Sequence, residues 1–361
     1  MEPELYRTLR SHYQQHPLGF PTTEGEVELR ILERLFNEEE AEMALHLTPR
    51  PEAAQRVAGR LERDPEETES LLERMAEKGQ ILALGKKGSR RYLLVPYIPG
   101  VWEFQLGRLD KAFAEDCEAY YAAQARDMFS SATSPVRVVT VEKHIPTSMK
   151  VYPFEVASQI VREASRLALA DCICRKQQKL LGKTCRKPHE SMCLNLSASA
   201  DYYIERGMGT EVRVDEALRA LEKGEKAGLV RTAWLNVQNG PTGLCQCCRC
   251  CCHGLRAAYE LDIPNALARS NFVPAIDTEQ CTGCGSCVDI CPMDSLSLDR
   301  NDKAVRNPVR CIGCGLCVSA CPEGSLSLER VAEEQVVLPP ETYTGLMTEI
   351  AREKGRSFFY K

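Results

Sequence analysis

The sequence lacks long apolar segments. It contains no run of eighteen or more apolar residues, and its first nineteen residues interleave charged and polar side chains with single apolar ones. A membrane-spanning helix needs about 20 consecutive apolar residues, and a secretory signal needs an apolar stretch of about 7–15. We therefore expect a cytoplasmic protein without a membrane span.

An excess of positive charge is also missing. Lys and Arg number 46 against 51 Asp and Glu, which gives a net charge of −5. Neutralising phosphates requires clustered Lys and Arg, so binding to nucleic acid is not expected. The sequence has no Gly-rich dinucleotide loop after a predicted strand, no Walker motif and no Ser-His-Asp arrangement. No site for flavin, NAD or ATP is therefore predicted, and independent catalysis is left open.

Cysteine, by contrast, is abundant and unevenly placed. Of the nineteen cysteines, all except Cys117 lie between Cys172 and Cys321. A disulfide framework is the alternative to metal binding, but thiols in a chain without an export signal stay reduced, and dense cysteine spacing then favours metal. We expect Cys117 to be a small buried side chain.

The most specific motif occurs twice. C-T-G-C-G-S-C-V-D-I-C-P spans residues 281–292 and C-I-G-C-G-L-C-V-S-A-C-P spans residues 311–322. Both match C-x2-C-x2-C-x3-C-P, and Ser-Leu-Ser-Leu follows each at the same offset, which indicates a duplicated strand-loop-helix-strand unit. The tight loop of one repeat can deliver three thiolates to an iron–sulfur cube, and the fourth must come from elsewhere. A zinc site would need only two cysteine pairs.

On these motifs, residues 272–330 resemble bacterial 2[4Fe-4S] ferredoxins. The resemblance implies one-electron transfer at low potential between two clusters, without implying a substrate. It also implies that each cluster takes its fourth ligand from the other repeat. The implied ligands are Cys281, Cys284, Cys287 and Cys321 for cluster 1, and Cys311, Cys314, Cys317 and Cys291 for cluster 2. The motif glycines, among them Gly283 and Gly313, are expected to bring the loop backbone close to the clusters.

Ten further cysteines lie upstream and predict at least one additional iron–sulfur cluster. A subset of them is expected to bind it, since successive side chains diverge and adjacent cysteines cannot all reach one metal; the run 245–252 therefore implies two sites or some cysteines that are not ligands. A structural zinc site and free or redox-active thiols are the alternatives. The candidates are Cys172, Cys174, Cys185, Cys193, Cys245, Cys247, Cys248, Cys250, Cys251 and Cys252.

The spacing C-x-C-R followed by C-x-C-C-x-C-C-C, ahead of a dicluster ferredoxin, resembles a group of anaerobe-type 4Fe-4S binding proteins. The segment Gly100-Val-Trp-Glu-Phe-Gln105 belongs to the same resemblance, which implies no mechanism. His189 and His253 lie beside cysteines and are possible metal ligands. We expect each instead to donate a hydrogen bond to a ligand or to face solvent.

The N-terminal residues predict three helices and a hairpin, the order of a winged helix. Apolar positions at 27–36 and 51–61 give the first two helices, Asp64 and Pro65 begin the third, and strands follow at 81–84 and 92–95. Winged helices often bind DNA through the third helix. Here that helix carries five glutamates between Glu66 and Glu77, so a redox-sensing transcription regulator is a rival rather than the preferred function.

The predicted fold is therefore α+β and multidomain. It comprises a winged-helix-like domain (1–98), a mainly helical cysteine-rich domain (99–265), a dicluster ferredoxin-like domain of βαβ repeats (266–335) and a helical tail (336–361). We expect an iron–sulfur electron-transfer protein that serves a protein redox partner as a subunit or donor of a larger oxidoreductase. The alternatives are the regulator just described and a reductase with its own active site at the middle cysteines.

Overall fold

The computed structural model of the protein describes residues 3–86 and 88–358 as a mixture of helices and small sheets. This confirms the α+β class. The helices are α1 (Pro3–Gln14), α2 (Val27–Leu35), α3 (Glu38–Leu45), α4 (Ala54–Leu61), α5 (Pro65–Glu77), α6 (Lys111–Met128), α7 (Ala157–Glu163), α8 (Ile173–Leu180), α9 (Ala198–Glu205), α10 (Val214–Lys226), α11 (His253–Glu260), α12 (Ser286–Ile290), α13 (Leu316–Ala320) and α14 (Tyr343–Glu353).

The strands form four sheets within the described residues, with the orders β1-β3-β2, β4-β8-β9-β6-β5-β7, β10-β13 and β11-β12. The paired neighbours are all antiparallel. The strands are β1 (Glu52–Ala53), β2 (Leu82–Leu84), β3 (Arg91–Leu93), β4 (Val136–Val138), β5 (Leu167–Ala170), β6 (Cys193–Leu196), β7 (Gly209–Glu211), β8 (Val230–Trp234), β9 (Gly243–Cys247), β10 (Phe272–Ile276), β11 (Leu296–Leu298), β12 (Ala304–Arg306) and β13 (Leu326–Arg330).

In the N-terminal region, α5 begins where the sequence predicts. The Asp64 carboxylate accepts hydrogen bonds from the backbone N–H groups of Glu66 and Glu67, and Pro65 needs no partner at the first helical position. The hairpin β2-β3 follows. Two details differ from the prediction. A second short helix, α3, follows α2, and the residues after Pro51 form β1 before α4 begins.

The middle region is not the mainly helical unit that the sequence predicted. A six-stranded sheet runs through it, and helices lie on both of its faces. Helix α7 ends at Glu163, and Leu167 and Ala168 lie in β5. The strands are only three to five residues long, and cysteines occupy several of the positions where an apolar alternation would have marked them, so the period-two signal was weak.

The repeated unit at residues 272–330 has internal symmetry. Strand β10 pairs with β13, β11 pairs with β12, and each cysteine loop leads into a five-residue helix, α12 or α13. The strands predicted around Leu296 and Leu326 are therefore present as β11 and β13.

One apolar core connects the N-terminal and middle regions, since buried side chains pack continuously from Tyr6 on α1 to Ile350 on α14. Helix α14 packs on the protein itself through Leu346, Met347 and Ile350, and Lys354 and Arg356 pair with Asp127 at the end of α6. Residues 359–361 of the predicted tail and Lys87 of the predicted wing lie outside the described residues. Among the helices described, none has the length and apolar character needed to cross a bilayer.

Candidate metal centres

The structure brings the first predicted ligand set together. Cys281 and Cys284 come from the loop before α12, Cys287 lies in the first turn of α12, and Cys321 is the C-cap residue of α13 in the other repeat. All four line one cavity, which we call the first site.

The second set is arranged in the same way. Cys311, Cys314 and Cys317 line a cavity with Cys291, which follows α12. We call this the second site. The crossing of the fourth cysteine between repeats follows from the paired packing of α12 and α13.

Glycines let each cysteine loop pack closely against the backbone of a neighbouring segment. Gly283 and Gly313 have φ values of +73° and +71°, a region that side chains rarely adopt. A Cβ atom at Gly283 would lie 2.3 Å from the carbonyl oxygen of Asp302, and one at Gly313 would lie 2.1 Å from that of Phe272. Only glycine therefore allows each loop to curl around four convergent thiols, which is the donor set of a [4Fe-4S] cluster.

The two sites differ in exposure. In the first loop Cys284 is exposed, and hydrogen bonds from the Ser286 hydroxyl and backbone lower its pKa. The first and third cysteines of both loops are buried, so the difference lies at the middle cysteine: Cys314 of the second loop is half-buried, and burial raises its pKa to about 12. The first site thus faces solvent, whereas the second is covered by protein.

The cover over the second site is the middle region. The backbone N–H of Val141, next to β4, donates to the carbonyl oxygen of Cys314 at 3.2 Å. Asp294, three residues after Cys291, accepts hydrogen bonds from Arg249 at 2.7 Å and from the Tyr259 hydroxyl at 2.5 Å. Arg249 belongs to the run 245–252, so the second site lies beside the middle cysteines.

The middle cysteines separate into two groups. The first group, which we call the chamber, lies on one face of the six-stranded sheet. Cys193 on β6 is paired with Cys245 on β9, and Cys247 lies two residues further along β9 on the same face. Leu194 and Leu244 point to the opposite face, into a separate apolar cluster.

Two helix N-termini complete the chamber. Cys172 is the N-cap residue of α8, Cys174 lies in its first turn, and Cys252 is the N-cap residue of α11. The six thiols form a chain of neighbours in the order 172, 174, 252, 247, 245, 193. Hydrogen bonds from Cys174, Cys247 and the Leu255 backbone lower the pKa of Cys252. Thiolate charge at this position is therefore stabilised by the helix N-terminus as well as by neighbouring thiols.

A buried cation lies beside the chamber. Arg175 is 3% exposed and donates through Nη2 to the carbonyl oxygen of Gln246 at 2.6 Å. Its Nε and Nη1 groups are buried without a hydrogen-bond partner in the part of the chain that the structure describes. Burial alone would lower the pKa of Arg175, but the thiolates of Cys172 and Cys248 raise it above its usual value. The guanidinium is thus placed to offset thiolate charge.

The chamber also has walls that are not cysteine. Trp102, Glu103, Tyr203 and Trp234 line the same cavity. Glu103 accepts a hydrogen bond from the backbone N–H of Gly100 at 2.7 Å, and burial raises its pKa to about 8. The segment Gly100–Gln105, singled out by resemblance only, therefore contributes two side chains to this cavity.

The second group comprises Cys185, Cys248, Cys250 and Cys251, whose sulfur atoms all lie within 4.8 Å of one another. Cys248 and Cys251 also line the chamber cavity, so the two groups are neighbours. The run 245–252 implies either two sites or some cysteines that are not ligands, and the sequence does not distribute the cysteines between these possibilities. The sheet register does so, because β9 ends at Cys247 and the chain then turns away from the sheet.

The remaining candidates do not join a site. Cys117 is 2% exposed on α6, within 3.1 Å of the Tyr97 hydroxyl, and burial raises its pKa to about 12. His253 is buried and stacks on Trp102 with ring centroids 4.5 Å apart. The backbone carbonyl of His189 accepts a hydrogen bond from the Cys172 N–H. Trp102, Glu103 and Tyr203 were missed as wall residues, because no local spacing links them to the cysteines.

Residues 273–335 match the family model of the 4Fe-4S dicluster domain. The match covers well under half of the chain. A search of curated proteins found none that matches it. The domain match and the grouped cysteines together support an iron–sulfur protein that transfers electrons.

Proposed function

We propose that the protein relays single electrons between a protein partner at the first site and a further iron–sulfur centre in the chamber. The observation that carries this proposal is the grouping of each predicted ligand set around one cavity, with one thiol crossing from the other repeat. Bound there, [4Fe-4S] clusters would supply one-electron oxidation and reduction. The protein's own residues hold the thiols in place and control which site meets water.

The difference in exposure supports a direction for the relay. The exposed Cys284 places the first site at the surface, and Leu298 and Val305 on the adjacent strands are 37% and 39% exposed. A partner redox protein would therefore meet this side. The second site is covered by the middle region, with Asp294 joining it to the loop that carries Cys248 and Cys250. The chain thus fits a subunit or donor of a larger oxidoreductase.

A third centre in the chamber is supported by its donors and its electrostatics. Six thiols, two helix N-termini and the buried Arg175 converge there. Four of the six are enough for a cubane, and the others would support it or complete a larger cluster. Backbone N–H groups and a buried cation favour the anionic form of such a centre.

A second candidate function is reduction of a small substrate at the chamber. The observation that favours it is the presence of Glu103 and Tyr203 on the wall of the cavity, where neither is needed as a ligand. A carboxyl group there is placed to hold a proton next to the cysteines. This candidate uses the same relay and adds a chemical step at its end.

The winged-helix regulator has less support. Arg90, in the wing, pairs with Glu73 at 2.5 Å and with Glu205 of α9 at 2.6 Å. Its charge is therefore neutralised by the protein and is not available to phosphate. The winged-helix assignment and the four-part division of the chain remain predictions, and we propose a docking or structural role for residues 3–98.

The proposal is tested on the full chain, purified and reconstituted without oxygen. We expect iron and acid-labile sulfide each to exceed about eight per chain, since two cubanes account for eight. Cys284→Ser should remove iron from the first site, and Cys245→Ser should remove it from the chamber, whereas Cys117→Ser should change neither. An iron-free protein after reconstitution, or one without an EPR signal under dithionite, would overturn the relay. If Cys245→Ser loses only the EPR signal of the dicluster region, the proposal of a centre in the chamber is overturned.

A further inference from the structure

The four thiols of Cys185, Cys248, Cys250 and Cys251 lie much closer together than a relay site requires. Cys185 Sγ lies 3.8 Å from Cys248 Sγ and 3.5 Å from Cys250 Sγ. Cys250 Sγ lies 3.5 Å from Cys248 Sγ and 3.6 Å from Cys251 Sγ. We call this set the four-thiol group.

These distances match the edges of a tetrahedron around one metal ion. With a zinc–sulfur bond of about 2.3 Å, the edge of a regular tetrahedron is about 1.63 times longer, or about 3.8 Å. In a cubane the four cysteines bind four different iron atoms at the outer corners, so their sulfurs lie further apart. The four-thiol group therefore has the size of a mononuclear site.

We propose that the four-thiol group binds a single zinc ion and that this ion is separate from the iron–sulfur centres. Zinc accepts four thiolates in a closed tetrahedral site and has no redox chemistry. The run 245–252 is then divided by direction, with Cys248, Cys250 and Cys251 binding zinc and Cys247 and Cys252 facing the chamber. This division sends the adjacent pairs Cys247–Cys248 and Cys251–Cys252 to different centres and leaves Cys250 and Cys251 as the adjacent pair on the ion, so it reduces the steric problem that adjacent cysteines pose for a single metal.

The charge around the group fits this ion. Four thiolates around Zn²⁺ leave a net charge of −2, which must be offset on the buried side of the group, at Cys248 and Cys251. The Arg175 guanidinium lies among Cys172, Cys247 and Cys248, between the group and the chamber, and two of its nitrogen atoms have no hydrogen-bond partner among the described residues. A single cation is thus shared by two anionic sites.

The zinc would join two loops whose cysteines lie 63 residues apart in the chain. Cys185 lies between α8 and β6, and the other three ligands lie between β9 and α11. Arg249, flanked by ligands on both sides, bonds to Asp294 beside the second site. By fixing this loop, the ion would hold the dicluster region against the chamber. This is a structural role that would serve the proposed relay, but zinc binding does not depend on the relay.

The test uses the full chain produced with both iron and zinc supplied, and purified without oxygen. We expect about one zinc per chain and a zinc X-ray absorption spectrum with four sulfur neighbours at about 2.3 Å. Cys185→Ser and Cys250→Ser should each lower zinc at least about fivefold while iron stays unchanged, because a site that loses one of four thiolates binds far more weakly. Cys284→Ser should do the opposite, and Cys117→Ser is the matched control that keeps both metals.

Several results would overturn the proposal. One is a zinc-free protein, another is iron in place of zinc at the four-thiol group, and a third is zinc bound through nitrogen or oxygen. Zinc retained in Cys185→Ser would place the ion elsewhere. If these variants fail to fold, the absorption spectrum of the unaltered protein decides the question. None of these results bears on the iron of the first and second sites. The proposed relay is therefore tested separately, by the iron, sulfide and EPR measurements described above.

Discussion

Replacing Gly313 by alanine tests whether the close approach of the loop backbone builds the second site. The ideal Cβ would lie 2.1 Å from the Phe272 carbonyl oxygen in β10, so the strand or the loop must move by about 1 Å to restore ordinary contact. The left-handed conformation adds about 1–2 kcal/mol for a residue with a Cβ. Overpacking typically adds about 1–3 kcal/mol more, because backbone must shift.

Gly285→Ala is the matched control. Its φ of +78° carries the same conformational cost, but a Cβ there has no neighbour within 4 Å among the described residues. The difference between the two variants therefore isolates the clash, at about 1–3 kcal/mol. An unfolding entropy of about 2.1 cal/mol/K per residue gives roughly 1.3 °C per kcal/mol for a chain of 361 residues. Gly313→Ala should therefore lose its visible cluster absorbance about 1–4 °C below Gly285→Ala on heating.

The assay compares thermal loss of cluster absorbance and iron content in the two variants and the unaltered protein. Gly313→Ala should also bind less iron at the second site, because displaced Cys311 and Cys314 no longer converge. Equal midpoints and equal iron content in the two alanine variants would refute the reasoning, since they would mean that the strand yields without cost.

Three further predictions concern other contacts. Glu155 is 4% exposed and accepts hydrogen bonds from Arg330 at 3.0 Å and from Asn271 at 2.6 Å, both in the dicluster region. Glu155→Ala should lower the free energy of unfolding by about 3–5 kcal/mol, because it leaves the Arg330 cation unpaired. Thermal unfolding measures this loss, and a loss below about 1 kcal/mol would contradict the buried pair. Asp294→Ala removes the partly exposed ion pair with Arg249, which is worth about 0.2–1 kcal/mol. The free energy of unfolding should therefore hardly change, while electron transfer from the second site to the chamber should slow. An unchanged rate in stopped-flow reduction would show that the Asp294–Arg249 pair does not position the two centres. Burial lowers the pKa of His16 to about 3 from 6.5, so the folded state favours the neutral imidazole. The contribution of His16 to the free energy of unfolding is complete above pH 6.5 and is lost as pH falls towards 3, at up to about 1.4 kcal/mol per pH unit. His16→Asn should make this loss less steep when unfolding is followed by tryptophan fluorescence at a series of pH values.

The sequence determined the iron–sulfur repeat by itself. Three predicted ligands of each site lie within seven residues, so local spacing sets their geometry, and the resemblance to dicluster ferredoxins implied that Cys291 and Cys321 cross between the repeats. Helix α5 was equally local, since Asp64 and Pro65 define its start by hydrogen bonding and ring geometry. Each of these features depends on contacts between residues close in the chain.

Only the tertiary structure decided how the other ten cysteines divide. Cys193 and Cys245 face each other because β6 and β9 are paired, and neither strand was predicted. Cys185 joins Cys248 across 63 residues of chain, a contact that no local spacing encodes. The sequence thus indicated that metal is bound, because thiol density is a property of composition. Which thiols lie together was decided by strand register and chain direction, which arise from long-range packing.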